Sequence, residues 1–455
     1  MQTTRKRKYG DGAHAQARKK HAADTNHYDR HSTLSNDGGG TIRIKDVAMR
    51  KGLSNPVAVQ MNAEQIPAVC FQQANAFFDI EIVGSSAVGY ADHMIVQLTL
   101  RNPDPINAMT LGHFFQLWDK IELLPDGSNV QDTLYPEMMY LMHQLKVKDE
   151  YRSMIGDNYG LNTGTNRDPT VNRYTYTNYD SSVNGQGVII APGASFTYYA
   201  EIPCIFQYMD LFLPALDVNK WPRIRFYPAA TNCKQTTSVS LLRPTIQQCI
   251  LVIQGPQFAG GINTRLKNAY RKAPSVTSGI VCDRQIISPY TPASGRESGD
   301  IVLNSTVGKM LMLILIQRNT VVTGEELFSA GTLVNATWHE IDTFTFKRGG
   351  GAVVSYEKQP KILYDTTYFT DYFPSNLARE KAFLLYSFST DPMSSIIHGA
   401  DTGSYVMTAK EAIRITPISV PHNTFVDGVA MELLCYAFRY AEITQCKGGV
   451  ELTRK

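Results

Sequence analysis

No stretch of this 455-residue chain is long and apolar enough for a membrane helix, which needs roughly 20 residues. The longest apolar run, MLMLILI at 310–316, has the length of a strand. Cysteine is sparse and odd in number: seven residues, none in a C-x-x-C pair. That spacing argues against both a disulfide framework and a structural zinc site, and reads as buried thiols in a chain made in a reducing compartment. Charged side chains make up only 19%. The N-terminus, MQTTRKRK, has no apolar segment behind it and does not read as a secretory signal. Catalytic strings are missing as well. The glycine clusters at 38–40 and 349–351 fit neither a phosphate-binding loop nor a dinucleotide fingerprint. H-E-x-x-H, G-x-S-x-G and H-x-E with paired cysteines do not occur, so nothing points to metalloprotease, hydrolase or deaminase chemistry.

What is present is a pattern used twice. MIVQLTLRN, ending at Asn102, is echoed by LMLILIQRN, ending at Asn319. Trp118-x-x-Ile121 is echoed at nearly the same offset by Trp338-x-x-Ile341. Two matches in register point to a duplicated β domain, and the chain is long enough for two units of about 200 residues. The 24 Tyr, 19 Phe, 33 Gly and 22 Pro suit strands joined by many loops. The four repeated residues Trp118, Ile121, Trp338 and Ile341 are expected to be core, with His339 on the solvent side of its strand.

Charge is polarised along the chain. Arg5, Lys6, Arg7, Lys8, Arg18, Lys19 and Lys20 face only Asp11 within the first 20 residues, a net of +6, which leaves −3 for the rest. Residues 1–57 are expected to form a flexible basic arm without strand or helix of its own. Such an arm can neutralise nucleic-acid phosphates, lie on anionic lipid, act in nuclear import, or simply solubilise the chain; composition does not separate these.

The first domain is assigned to 58–260, a basic linker to 261–277 and the second domain to 278–455. FFDIEIVG and HMIVQLTLRN alternate as half-buried strands, prolines 103 and 105 break the ladder, and FFQLWDKIELL resumes it up to a turn at Pro125-Asp126-Gly127. YPEMMYLMHQL reads as a short helix whose methionines fill core. The polar stretch 157–195 reads as an exposed loop whose Tyr159, Tyr174, Tyr176 and Tyr179 either form a contact surface between subunits or with a receptor, or simply fill the loop. Eight or so strands per half with long connections favour a jelly roll over an immunoglobulin-type sandwich.

The segments FFQLWDKIELLPDGSNVQDTLYPEMMYLMHQL, IPCIFQYMDLFLPALDVNKWPRIRFYP, LRPTIQQCILVIQGPQF and AMELLCYAFRYAEITQCKGG together resemble double jelly-roll major capsid proteins of tailless icosahedral DNA viruses. The resemblance spans roughly 60–450. It implies an all-β fold of two tandem eight-stranded jelly rolls with short helices in connecting loops. Three such chains would form a pseudo-hexagonal homotrimeric capsomer that tiles an icosahedral shell. The partners implied are neighbouring capsomers, penton and minor capsid proteins, with the arm facing genomic DNA or an internal membrane. The implied location is the virion, after assembly in host cytoplasm or nucleus. No enzymatic activity, cofactor or metal is implied. The alternative is a glycan-binding or glycan-hydrolysing β-sandwich such as a receptor-binding spike, its aromatic loop stacking on sugars.

Overall fold

The computed structural model describes residues 54–142, 188–229, 242–258, 260–290, 295–319, 341–358, 384–390, 402–417 and 431–454, apart from short gaps, and two ladder fragments at 34–35 and 41–42. Those fragments, Leu34–Ser35 and Thr41–Ile42, pair antiparallel within the stretch expected to hold no strand.

Eight strands build the first sandwich: β1 (Ser54–Asn62), β2 (Phe78–Glu81), β3 (His93–Arg101), β4 (Trp118–Leu124), β5 (Asp132–Leu134), β6 (Ser195–Glu201), β7 (Arg223–Pro228) and β8 (Thr245–Phe258). Their order is β6-β3-β8-β1 in one sheet and β2-β7-β4-β5 in the other, all antiparallel. Helix α1 (Gly260–Lys272) follows directly. Eight more strands build the second sandwich: β9 (Ser275–Tyr290), β10 (Ile301–Val302), β11 (Gly308–Asn319), β12 (Ile341–Lys347), β13 (Val353–Lys358), β14 (Leu384–Ser387), β15 (Ala412–Pro417) and β16 (Met431–Cys446). They lie in the orders β14-β11-β16-β9 and β10-β15-β12-β13. Adding eight to every strand number of the first sandwich reproduces the second, so the duplication is topological. Tyr405–Met407 extends the β14 edge along β11, and β17 (Gly449–Arg454) folds back on β16.

Alternation positions the core. Met94, Val96, Leu98 and Leu100 of β3 point inward between less buried neighbours, the period of a sheet with one buried face. The apolar run on β11 has a different cause. Leu311, Met312 and Ile314 join a core continuous with that of the first sandwich, while Met310, Leu313 and Leu315 face the second sandwich's own core. On β16, Leu434, Tyr436 and Phe438 take the first side and Leu433, Cys435 and Ala437 the second. A sheet buried on both faces needs no polar positions, so its strands read as unbroken apolar runs.

Three expected local structures differ in detail. Residues 114–117, read as strand, form a 3₁₀ turn that delivers Trp118 to the start of β4. The stretch 261–277, read as a linker, is helix α1 and the start of β9. The end of the 157–195 insertion, Val188–Ile190, forms a ladder with Met109–Leu111. Pro136, Met138, Met139 and Met142 are helical, and the three methionines are buried, as the apolar spacing suggests. Five of the six described cysteines are buried free thiols, and Cys446 is half-buried.

Candidate functional site

Antiparallel pairing puts the start of β1 and the end of β8 at the same end of the first sandwich, with Ser54 opposite Phe258. The start of β9 meets the end of β16 likewise, with Ser275 opposite Gln445. This shared end is the base, where residues 1–53 join the fold and where α1 carries the chain from one sandwich to the next.

The base is rigid for identifiable reasons. Leu266 and Tyr270 of α1 are buried against Tyr90, Phe212 and Phe258. The Tyr270 ring stacks on Phe212 at 4.9 Å, and its hydroxyl donates to the Tyr90 hydroxyl at 3.2 Å. Gln445 of β16 then locks the second sandwich to the same spot: its Oε1 accepts from the Phe212 N–H at 2.9 Å and its Nε2 donates to the Phe212 carbonyl at 2.8 Å. A buried carboxamide meeting both backbone groups of one residue acts as a one-residue strand pairing, and losing it would strand two polar groups.

Further from the base, the sandwiches meet at a charged cluster. Arg439, fully buried, donates to Asp283 at 3.1 Å, and Arg454 of β17 donates to the same carboxylate at 3.2 Å. Arg284 lies over the Tyr135 ring at 3.2 Å, and the Leu452 N–H donates to Gln131 Oε1 at 2.9 Å. Asp132 sits beneath them, 3% exposed. Burial raises its carboxyl from 3.8 to about 7, with Arg454 pulling it down and Asp283 pushing it up. A raised carboxyl pKa means that the folded state holds a proton the unfolded chain has released. Its stability contribution is therefore intact below about pH 4 and is lost as pH climbs through about 7. Asp132→Asn keeps the shape without the charge, so it should leave the melting temperature unchanged near pH 4 and raise it near pH 8. Melts at the two pH values check this; an equal effect at both would remove Asp132 as the source.

At the opposite end, where β3, β5 and β7 finish, Asn102 and Asp104 form a buried polar knot. Asn102 Nδ2 donates to the carbonyls of Asn107 at 2.8 Å and Ile190 at 3.2 Å, and its Oδ1 accepts from the Asp104 N–H. The Asp104 carboxylate accepts from the N–H groups of Ile106 and Asn107. The chain leaving β3 is thereby tied to the chain approaching β6, and the ladder break at Pro103 and Pro105 becomes a fixed corner with its backbone groups satisfied.

Trp118 and Ile121 are fully buried on β4. The second echo falls on β4 and β12, which hold the same place in the two strand orders. Trp118 pairs with Pro228, Ile121 with Phe226 and Leu124 with Arg223. In the second sandwich Ile341 pairs with Pro417, Phe344 with Ile415 and Lys347 with Ala412, with a register irregularity at the matching place. Trp118 and Ile341 each open their strand and each pairs with a proline, Pro228 and Pro417. Trp338 and His339 lie outside the described residues, as do the basic arm residues 5–8 and 18–20 and the tyrosines at 159, 174, 176 and 179. Gln445, Asp132 and Arg439 carry no local sequence signal; each is a polar residue within or beside an apolar strand, visible as a site only once the strand's buried face is known. Among the described residues no group of His, Cys, Asp or Glu is arranged to hold a metal ion.

No protein-family model and no curated protein sequence matches the chain. Solved structures do. VP54 of PBCV-1 superposes with a TM-score of 0.58 at 14% identity, over 88% of this chain and 97% of that one. The Faustovirus major capsid protein gives 0.53 at 9% identity, over 90% and 92%. A chain of the Sputnik virophage structure gives 0.53 at 9% identity, over 92% and 91%. The fold is thus the double jelly roll seen in viral major capsid proteins, shared at 9–14% sequence identity.

Proposed function

We propose that this chain is the major structural protein of a virus capsid and that three copies close into a pseudo-hexagonal capsomer tiling an icosahedral shell. The observation that carries this reading is the repeated strand order in two sandwiches welded by one core. Each chain then offers two similar blocks in a fixed relation, and three chains around a threefold axis offer six, the number a hexagonal tile requires. Welding matters mechanically: a hinge at α1 would let the blocks splay, and Tyr270, Gln445 and the Asp283–Arg439 pair oppose that. The role is architectural rather than catalytic, with location in the virion shell and with neighbouring capsomers, penton and minor capsid proteins as partners. The basic arm, joining at the base, would face whatever the shell encloses.

Light scattering coupled to size exclusion tests the reading. The expected species is three times the 50.7 kDa chain, about 152 kDa, with a six-lobed outline in negative stain. A stable dimer, or a monomer that persists at high concentration, would overturn the trimeric capsomer.

A further inference from the structure

The outer face of α1 is a strongly charged surface that the described residues leave uncovered. Its thirteen residues, GGINTRLKNAYRK, contain four basic side chains and no acidic one. The apolar stripe of Ile262, Leu266 and Tyr270 is spent on the aromatic box beneath. Arg265, Thr264, Asn268 and Lys272 are exposed and Lys267 is half-buried. Among the described residues neither Arg265, Lys267, Lys272 nor the nearby Lys220 makes an ion pair. Alongside runs an open groove of about 470 Å³ lined by Ser85, Ser86, Asn263, Thr264, Lys267 and Asn268 among others, again without a carboxylate.

We infer that this helix face and its groove form a fixed binding site for the sugar-phosphate backbone of DNA, distinct from the N-terminal arm. Cations supply the charge, and hydroxyl and amide groups supply the neutral donors that sequence-independent backbone contacts use. From Arg265 to Lys272 the helix advances about 10 Å, close to three nucleotide steps of one strand. A bilayer is the poorer fit. Helices that lie on membranes bury an apolar face in the headgroup region, and here that face is already covered by Tyr90, Phe212 and Phe258. Ser54 pairs with Phe258, two residues before α1, so residues 1–53 join the fold next to this helix.

The test uses the full chain and a short random-sequence DNA duplex, with affinity followed by fluorescence anisotropy between about 50 and 200 mM salt. Arg265→Gln/Lys267→Gln/Lys272→Gln, with the arm intact, should lower the slope of log K against log salt by about 2.7, three contacts at roughly 0.9 each, and weaken binding at the lower salt at least tenfold. Glutamine keeps helix propensity, so melting temperature and particle mass should match the parent. That check separates failure of this site from failure of the capsomer reading. Parent-like slope and affinity in the triple variant would overturn the site. So would a variant that keeps its DNA binding but no longer binds phosphatidylserine vesicles, which would assign the face to lipid.

Discussion

Gly255→Ala should yield little or no folded protein. Gly255 lies on β8 opposite Val57 of β1, and an added Cβ would stand 1.7 Å from the carbonyl oxygen of Tyr90 and 3.1 Å from Val88. No atom pair tolerates the first distance, so either β8 or the Tyr90 backbone must move by more than an ångström. Neither is free to do so. Gly89, next to Tyr90, donates its N–H to the Pro256 carbonyl at 2.7 Å and accepts from Leu213 at 3.0 Å. The Tyr90 ring is wedged among Phe212, Phe258 and Tyr270. Displacing that segment breaks the aromatic box, and with it the docking of α1 and the partner that Gln445 finds on Phe212. A penalty above about 4 kcal/mol is expected, a large part of the 5–15 kcal/mol that separates folded from unfolded domains. Gly261→Ala is the internal control: nothing lies within 4 Å of its added carbon, it sits in α1, and alanine there should stabilise by about 0.5–1 kcal/mol. Soluble yield and thermal melts of the pair decide the matter. A Gly255→Ala protein that melts within a few degrees of the parent would show that the close approach is not a real constraint.

The same base shows what sequence reading can and cannot reach. Strands such as β3 announce themselves through alternation, and β11 through an apolar run, because burial of one or both sheet faces writes directly into composition. The echoes led to the right strands, since duplication preserves which segments form the core. A ladder position leaves no such mark: Trp118 pairs with Pro228 and Ile341 with Pro417, partners more than 75 residues away in sequence. Helix α1 was hidden by its polar content. Only Ile262, Leu266 and Tyr270 mark a buried stripe, and its cover comes from Tyr90 and Phe212, residues distant in the chain. Gln445 and Asp132 owe their roles entirely to what faces them, and no local pattern encodes that.

Trp118 gives the second large effect, and it isolates packing from hydrogen bonding. The side chain is fully buried at the start of β4, with ring centroids at 4.9 Å from Phe226, 5.7 Å from Phe114 and 6.2 Å from Phe78. It therefore bridges β4 to β7, to β2 and to the 3₁₀ turn. Its indole Nε1 is buried without a hydrogen-bond partner, so truncation forfeits no polar interaction. Trp118→Ala should cost about 3–5 kcal/mol through lost burial and the cavity left behind. Trp118→Phe should cost clearly less, because phenylalanine retains most of the aromatic contact and removes an N–H whose burial is unfavourable. Denaturant titration is the measurement: a lower midpoint with unchanged slope in both variants, ordered alanine below phenylalanine below parent. Equal losses in the two variants would mean that the indole makes a polar contact after all. An alanine variant as stable as the parent would mean that the first sandwich does not depend on this aromatic cluster for its cohesion, which would undercut the view of Trp118 as the core residue that ties β2, β4, β7 and the 3₁₀ turn together.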